Sequence, residues 1–302
     1  MERYVSKDGC VAKYVHDDGS ETSIKTWPEG MESCGGSGRE KFNVFISTSV
    51  GCPVKCAFCY LTSKKFPYSD LTPLQVASNT LQAIEEEFKY RPNLKRVPMN
   101  LSFMGMGDAW LDLHKTQRVV SLIISWLDKQ PIEGVDIATT LPRISWEDKG
   151  NLRKISKKLE ESGRLVERPA DRTPLRIFYS LFSVDHSVRS QFIPRSLSPD
   201  IAYEYLVELL KDYNVICHLL FLDGINDDIL EDILPLTVIF SPFQLRLLRF
   251  NRCPNSIFQE SNNIDYIIEL LSETPDINFK YQLSPGSEVA ASCGMFLMKD
   301  IK

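Results

Sequence analysis

Cys52, Cys56 and Cys59 fall within eight residues, in the stretch Cys52-Pro53-Val54-Lys55-Cys56-Ala57-Phe58-Cys59. A loop this short can bring three thiolates to the corners of one metal site. Three ligands leave the fourth metal position open, which suits a catalytic centre better than a closed structural one. A structural zinc site needs a fourth protein ligand. The nearest upstream histidine, His16, lies beyond a hairpin signal and a glycine-rich stretch. On residue types alone, zinc and a chance cluster of buried cysteines stay open beside iron–sulfur.

Other reactive groups recur at the ends of apolar runs. Gly105-Met106-Gly107-Asp108, Thr139-Thr140, Ser183, Asp223-Gly224-Ile225-Asn226-Asp227 and Asn251-Arg252-Cys253 each follow such a run. The runs themselves, at residues 43–48, 99–104, 135–138, 175–181, 215–222 and 245–250, read as strands separated by helical patterns. The clearest helix starts at Thr72, an N-cap followed by Pro73, with Leu74, Ala77, Leu81, Ile84 and Phe88 as its apolar stripe. Alternating strands and helices imply a parallel sheet, and six such units predict an α/β fold of the partial (β/α)6 barrel type. In that architecture the loops at the strand C-termini share one face and carry the chemistry. Ahead of it, Asp18-Gly19 marks a short N-terminal β-hairpin extension, followed by a glycine-rich loop holding Cys34. The expected division is 1–42 for hairpin and loop, and 43–302 for the barrel with its C-terminal extension.

The chain has 302 residues, 43% of them apolar, and a formal net charge of −5. That composition excludes collagen-like and disordered classes, and the charge argues against an indiscriminate polyanion binder. No apolar run approaches the roughly 18 residues of a membrane span, and Met1-Glu2-Arg3-Tyr4 lacks the apolar core of a secretion signal. A cytoplasmic, non-membrane protein is therefore expected, with its eight cysteines as thiols or metal ligands. Ten basic residues face six acidic ones over 143–176, whereas 200–232 holds nine acidic residues and only Lys211. Such a pair of patches could guide a phosphate backbone, although a solvated helix face is the plainer reading.

The cysteine spacing, with Phe58 before the last thiol, resembles the radical S-adenosylmethionine (SAM) superfamily. Within it the chain is similar to the RlmN/Cfr adenine methyltransferases from about Asn43 to Met298. Ser47 to Cys52 resembles their strand entering the cluster loop, and Phe103 to Asp108 their Gly-Met-Gly-Glu-Pro segment at the SAM amino group. Ser180-Leu181-Phe182 stands where they have Ser-Leu-His; Leu222 to Asp227 and Phe250-Asn251 match two further segments. Ser284 to Gly294 resembles the segment carrying their methyl-accepting cysteine, here Cys293. The resemblance implies a 4Fe-4S cluster on Cys52, Cys56 and Cys59. It implies SAM held by Gly107, Asp108, Thr139, Thr140, Ser180, Leu181, Phe182 and Asn251. It also implies an RNA substrate (rRNA or tRNA) methylated at adenine carbon 2, an electron donor such as flavodoxin or ferredoxin, and a monomer. In the family, SAM methylates the carrier cysteine, and a radical from a second SAM then activates that methyl for addition to the base.

Several positions depart from the family pattern. Asp108 replaces a glutamate, Ala109 a proline, Ala138 a serine and Phe182 a histidine. The cysteine that resolves the covalent RNA adduct is replaced by Phe45, which leaves Cys34 as a candidate for that role. Glu21 roughly aligns with a proposed proton acceptor, but a solvated surface glutamate is the plainer expectation. The family's N-terminal accessory domain has no counterpart before the cluster loop. Two alternatives therefore stand beside RNA methylation: a radical-SAM enzyme of this fold with another or smaller substrate, and a non-catalytic iron–sulfur protein.

Overall fold

The computed structural model describes residues 1–27, 40–143, 149–167, 173–253, 256–282, 286–291 and 295–296. Three antiparallel strands, β1 (Glu2–Val5), β2 (Val11–Val15) and β3 (Glu21–Trp27), lead into β4 (Lys41–Ile46). The expected hairpin is thus a three-stranded meander, because the half-exposed Glu2–Val5 pairs along β2 as well. A small antiparallel pair, β5 (Ser49–Val50) and β6 (Ser69–Asp70), brackets the cysteines and the one-turn helix α1 (Tyr60–Ser63).

The strands that follow are all parallel: β7 (Met99–Phe103), β8 (Ile132–Thr139), β9 (Leu175–Ser180), β10 (Asn214–Leu219), β11 (Gln244–Leu248) and β12 (Phe279–Gln282). They lie side by side in chain order after β4, giving one open ten-stranded sheet. The six expected parallel strands are present, and β12 adds a seventh. Between them run α2 (Pro73–Tyr90), α3 (Leu113–Trp126), α4 (Lys149–Glu161), α5 (His186–Phe192), α6 (Pro199–Leu209), α7 (Leu234–Ile239) and α8 (Ile264–Glu273). Among the described residues, no helix is long and apolar enough to cross a membrane.

One sheet face is apolar and meets the helices: Ile24, Val44, Leu101, Val135, Ile177, Val215 and Leu245 all belong to the main core. The opposite face is polar yet buried. There Asp136 on β8 accepts from Arg176 Nε (2.7 Å) on β9 and from Asn100 Nδ2 (2.7 Å) and Ser102 Oγ (3.2 Å) on β7. Such a pair is tolerated in the interior because its remaining hydrogen-bonding capacity is met.

Helix α2 shows how the frame is built. Thr72 and Gln75 form a reciprocal capping box, with Pro73 in the first turn. Its buried stripe is Val76, Ala77, Thr80, Ala83, Ile84, Glu87 and Phe88. The expected stripe lies on this face through Ala77, Leu81, Ile84 and Phe88, while Leu74 in the first turn is 66% exposed. Glu87 is fully buried because Arg3, Tyr14 and Arg91 all bind its carboxylate. That cluster fastens the N-terminal strands to the first helix of the parallel unit.

Candidate active site

Parallel strands put every C-terminal loop at one sheet edge, so the cysteine loop after β4 shares that edge with the loops after β7, β8, β9 and β11. The cysteine loop is held from beneath. Ala57 N–H donates to Phe192 O at the end of α5 (2.8 Å), and Arg195 Nη1 donates to Pro53 O (2.7 Å). Cys52 and Cys56 pack on a cluster of Val54, Phe182, Phe192, Ile193 and Leu222. Burial pushes the Cys56 thiol well above its ordinary pKa, and Cys52, Cys59 and Asp108 add repulsion, while Arg189 pulls the other way. Burial likewise pushes Cys52 up to about 11. None of the three is in a disulfide. Among the described residues, no group of three or more His, Cys, Asp or Glu stands at separations that would hold one metal ion.

The loop after β7 lies directly on the segment that leads to the cysteines. Gly105 N–H donates to Ile46 O (3.0 Å), Met106 N–H to Ser47 Oγ (3.0 Å), and Thr48 N–H to Met106 O (2.9 Å). A Cβ on Gly107, whose φ is +94°, would fall 2.3 Å from Thr48 Oγ1. Only glycine combines that left-handed backbone with so close an approach.

Asp108 is anchored on both oxygens. Trp110 N–H donates to Oδ1 (3.0 Å), and Oδ2 accepts from Thr140 N–H (2.8 Å), Thr140 Oγ1 (2.9 Å) and Thr139 Oγ1 (3.4 Å). Burial raises its pKa, against the opposing pull of those hydrogen bonds. The structure thus brings together Gly107, Asp108, Thr139 and Thr140, and joins the β7 and β8 loops through one carboxylate.

Phe182, the departure from histidine, is the middle ring of a stack. Its centroid lies 5.2 Å from Phe58 and 5.3 Å from Phe192, nearly parallel to both. Its φ is +60°, and Asn226 Nδ2 donates to its carbonyl (2.6 Å). The same amide bonds Leu220 O (2.8 Å) and the Leu222 N–H (2.9 Å), so Asn226 sews the β9 and β10 loops together. Leu181 is buried; Ser180 and Asn251 are half-buried. The Asn251 loop is pinned one residue earlier, where Phe250 N–H donates to Glu260 Oε1 (2.8 Å).

Two expectations about charge change. Glu21 is not a solvated surface residue: it is 4% exposed and pairs with the equally buried Lys13 at 2.8 Å. Lys13 Nζ also donates to Ala290 O (3.3 Å), which brings Glu21 beside the C-terminal segment. The basic helix α4 does not stand opposite the acidic stretch but bonds to it, through Lys149–Glu208 (2.5 Å) and Arg153–Asp212 (3.9 Å). Cys34 and Cys293 lie outside the described residues. On either side of Cys293, Ala290 and Met295 pack with Cys253 and with Tyr60, which follows Cys59. Phe45 sits under Lys25 Nζ, 4.8 Å from its ring centre.

The sequence reading passed over Arg189. It is 1% exposed on α5, and its guanidinium donates to the carbonyls of Ser180 (2.8 Å), Leu181, Thr140 (3.0 Å) and Leu197 (3.3 Å). An arginine on a short helix reads as solvated, and carbonyl partners leave no side-chain signal in a sequence. The Asp185 cap beside it was the one visible hint.

This parallel sheet in sequential order matches the fold of a solved radical SAM methyltransferase. The solved enzyme of that description from Sphaerobacter thermophilus superposes with a TM-score of 0.70 at 18% identity, covering 98% of this chain and 80% of that one. Streptococcus suis SuiB bound to S-adenosylmethionine gives 0.51 at 12% identity, over 83% of this chain and 55% of that one. No family model matches the chain. In sequence it is a homologue of proteins named dual-specificity RNA methyltransferase RlmN. That of Nautilia profundicola is 23% identical, covering 95% of this chain and 77% of its own length. That of Sulfurimonas denitrificans is 24% identical, covering 99% and 81%.

Proposed function

We propose that this chain is a radical SAM methyltransferase that methylates carbon 2 of an adenine in RNA, with Cys293 as methyl carrier. The observation that carries the reading is the meeting, at one sheet edge, of the cysteine loop with the loops holding Gly107, Asp108, Thr139, Thr140, Phe182 and Asn251. The donor set fits an iron–sulfur cluster. Cys52, Cys56 and Cys59 are soft ligands on one loop, and a bound metal would replace the protons that burial keeps on Cys52 and Cys56. With SAM bound, such a cluster supplies one-electron chemistry that abstracts a hydrogen atom.

The chain's own residues hold, orient and exclude water. Gly107 lets the β7 loop close on Thr48 and Ser49, beside the cysteine loop, without a Cβ in the way. Asp108 holds Thr139 and Thr140 in place through hydrogen bonds, and its second Oδ1 lone pair remains for the SAM amino group. The Phe58–Phe182–Phe192 stack closes the inner side of the cysteine loop against water. Glu21, buried beside Lys13 near the C-terminal segment, is the proton acceptor in this reading. The reading includes a radical-SAM unit over 43–302, extended by 1–42. It also includes a cytoplasmic monomer served by a flavodoxin- or ferredoxin-type donor.

A second reading, the same chemistry on another or smaller substrate, is favoured by Phe45 at the resolving position and by the acidic partners that Lys149 and Arg153 of α4 find in Glu208 and Asp212. Mass spectrometry of RNA from cells with and without the gene separates the two. Loss of 2-methyladenosine with the gene supports RNA methylation; identical spectra move the assignment to the second reading. Cys56→Ala, reconstituted anaerobically, is expected to hold no full cluster and cleave no SAM.

A further inference from the structure

Arg189 is buried, and among the described residues no carboxylate pairs with it. Its partners are carbonyl oxygens alone, with the Tyr179 ring 4.9 Å from the guanidinium carbon. Desolvating a guanidinium without a counter-ion is costly, and carbonyl dipoles offset only part of that cost. Three of the carbonyls, those of Thr140, Ser180 and Leu181, belong to the loops proposed above to hold SAM. The helix that carries Arg189 also ends on the cysteine loop, through Phe192 O and the Ala57 N–H. One side chain therefore ties both SAM loops to the helix on which the cluster loop rests.

We infer that Arg189 is a positioning residue that sets the β8 and β9 loops against the cysteine loop and supplies a fixed positive charge to that site. This rests on the cluster-and-SAM reading. A cluster held by three thiolates is net negative and more so when reduced, so a buried cation beside it favours the reduced state. Charge and geometry are separable. Lysine keeps the charge but loses the planar fork that reaches several carbonyls, whereas methionine loses both.

The test compares full-length wild type, Arg189→Lys and Arg189→Met after anaerobic reconstitution. Each is followed by thermal melting, SAM binding and spectroelectrochemical titration of the cluster. Both variants are expected to bind SAM about tenfold more weakly, the scale of one mispositioned polar contact. Only Arg189→Met is expected to move the midpoint potential, to more negative values. Lower melting temperatures with unchanged SAM affinity and unchanged potential overturn the proposal and leave Arg189 a structural clamp. Equal potential shifts in both variants overturn its electrostatic part. Should Arg189→Met not fold, Arg189→Gln serves as the uncharged variant. A wild type that assembles no cluster refutes the proposed function instead.

Discussion

Truncating Asp108 tests whether one carboxylate joins two loops of the site. In Asp108→Ala the buried Thr140 N–H, Thr140 hydroxyl and Trp110 N–H lose acceptors that now lie at 2.8, 2.9 and 3.0 Å. Thr139 Oγ1, at 3.4 Å, adds little. Each buried donor left unmet costs about 1–3 kcal/mol. The gross loss is about 3–9 kcal/mol. Two effects reduce it. Burial already disfavours the charged carboxylate, as its raised pKa records, and water can enter the space left behind. A net loss of about 2–4 kcal/mol follows, which for a domain of this size lowers the melting temperature by roughly 3–6 °C. Calorimetry of the cluster-free protein measures this without the cofactor, and SAM titration of the reconstituted protein measures the site. Asp108→Asn keeps the shape and one acceptor, so it is expected to lie between wild type and alanine. An Asp108→Ala variant that melts within 1 °C of wild type while binding SAM poorly would refute the joining role and make the carboxylate a ligand contact only.

Other expectations follow from single contacts. Gly107→Ala places a Cβ against Thr48 Oγ1 at φ +94°, and a loss of about 2–4 kcal/mol is expected in denaturant titration. His218 and His16 have pKa values lowered to about 3 and about 4, in both cases mainly by burial. Between pH 6.5 and those values the unfolded chain binds the extra protons, so stability falls with acidification by about 1.4 kcal/mol per pH unit for each histidine. His218→Phe should halve that slope in melting curves taken from pH 6.5 to 4.5, and an unaltered slope contradicts it. Cys293→Ala is expected to cleave SAM reductively at the wild-type rate yet pass no carbon to substrate, as read by chromatography of the deoxyadenosine product and isotope transfer from labelled SAM. Retained transfer removes Cys293 as carrier.

What the sequence made legible was local. The six parallel strands read correctly because each is an apolar run with a polar break behind it, and the parallel order that follows forces their loops to one edge. The cysteine loop was visible from spacing alone. Long-range partners were not. Glu21 looked like a surface acid because its buried partner, Lys13, sits on the neighbouring strand, and neither residue carries a signal without the other. The acidic and basic runs were counted correctly but placed apart, because nothing in either run shows that α4 packs where Glu208 and Asp212 reach it. The edge strands β1 and β12 are short and half-exposed, so their patterns carry little contrast. In α2 the apolar spacing located the buried face through Ala77, Leu81, Ile84 and Phe88, and Leu74 in the first turn is the one exception.

The sequential strand order also sets a timetable for synthesis. Each new parallel strand adds beside the previous one, so the sheet can grow in the direction in which the chain leaves the ribosome. The cysteine loop emerges early, yet its support at Phe192 and Arg195 follows more than a hundred residues later. Until then the three thiols hang from a half-built sheet, open to solvent and to oxidants. The segment proposed to carry the methyl group comes last of all, after β12 has been laid. Cluster loading on the nascent chain would therefore meet an unsupported loop, and assembly is best timed after the last strand is in place.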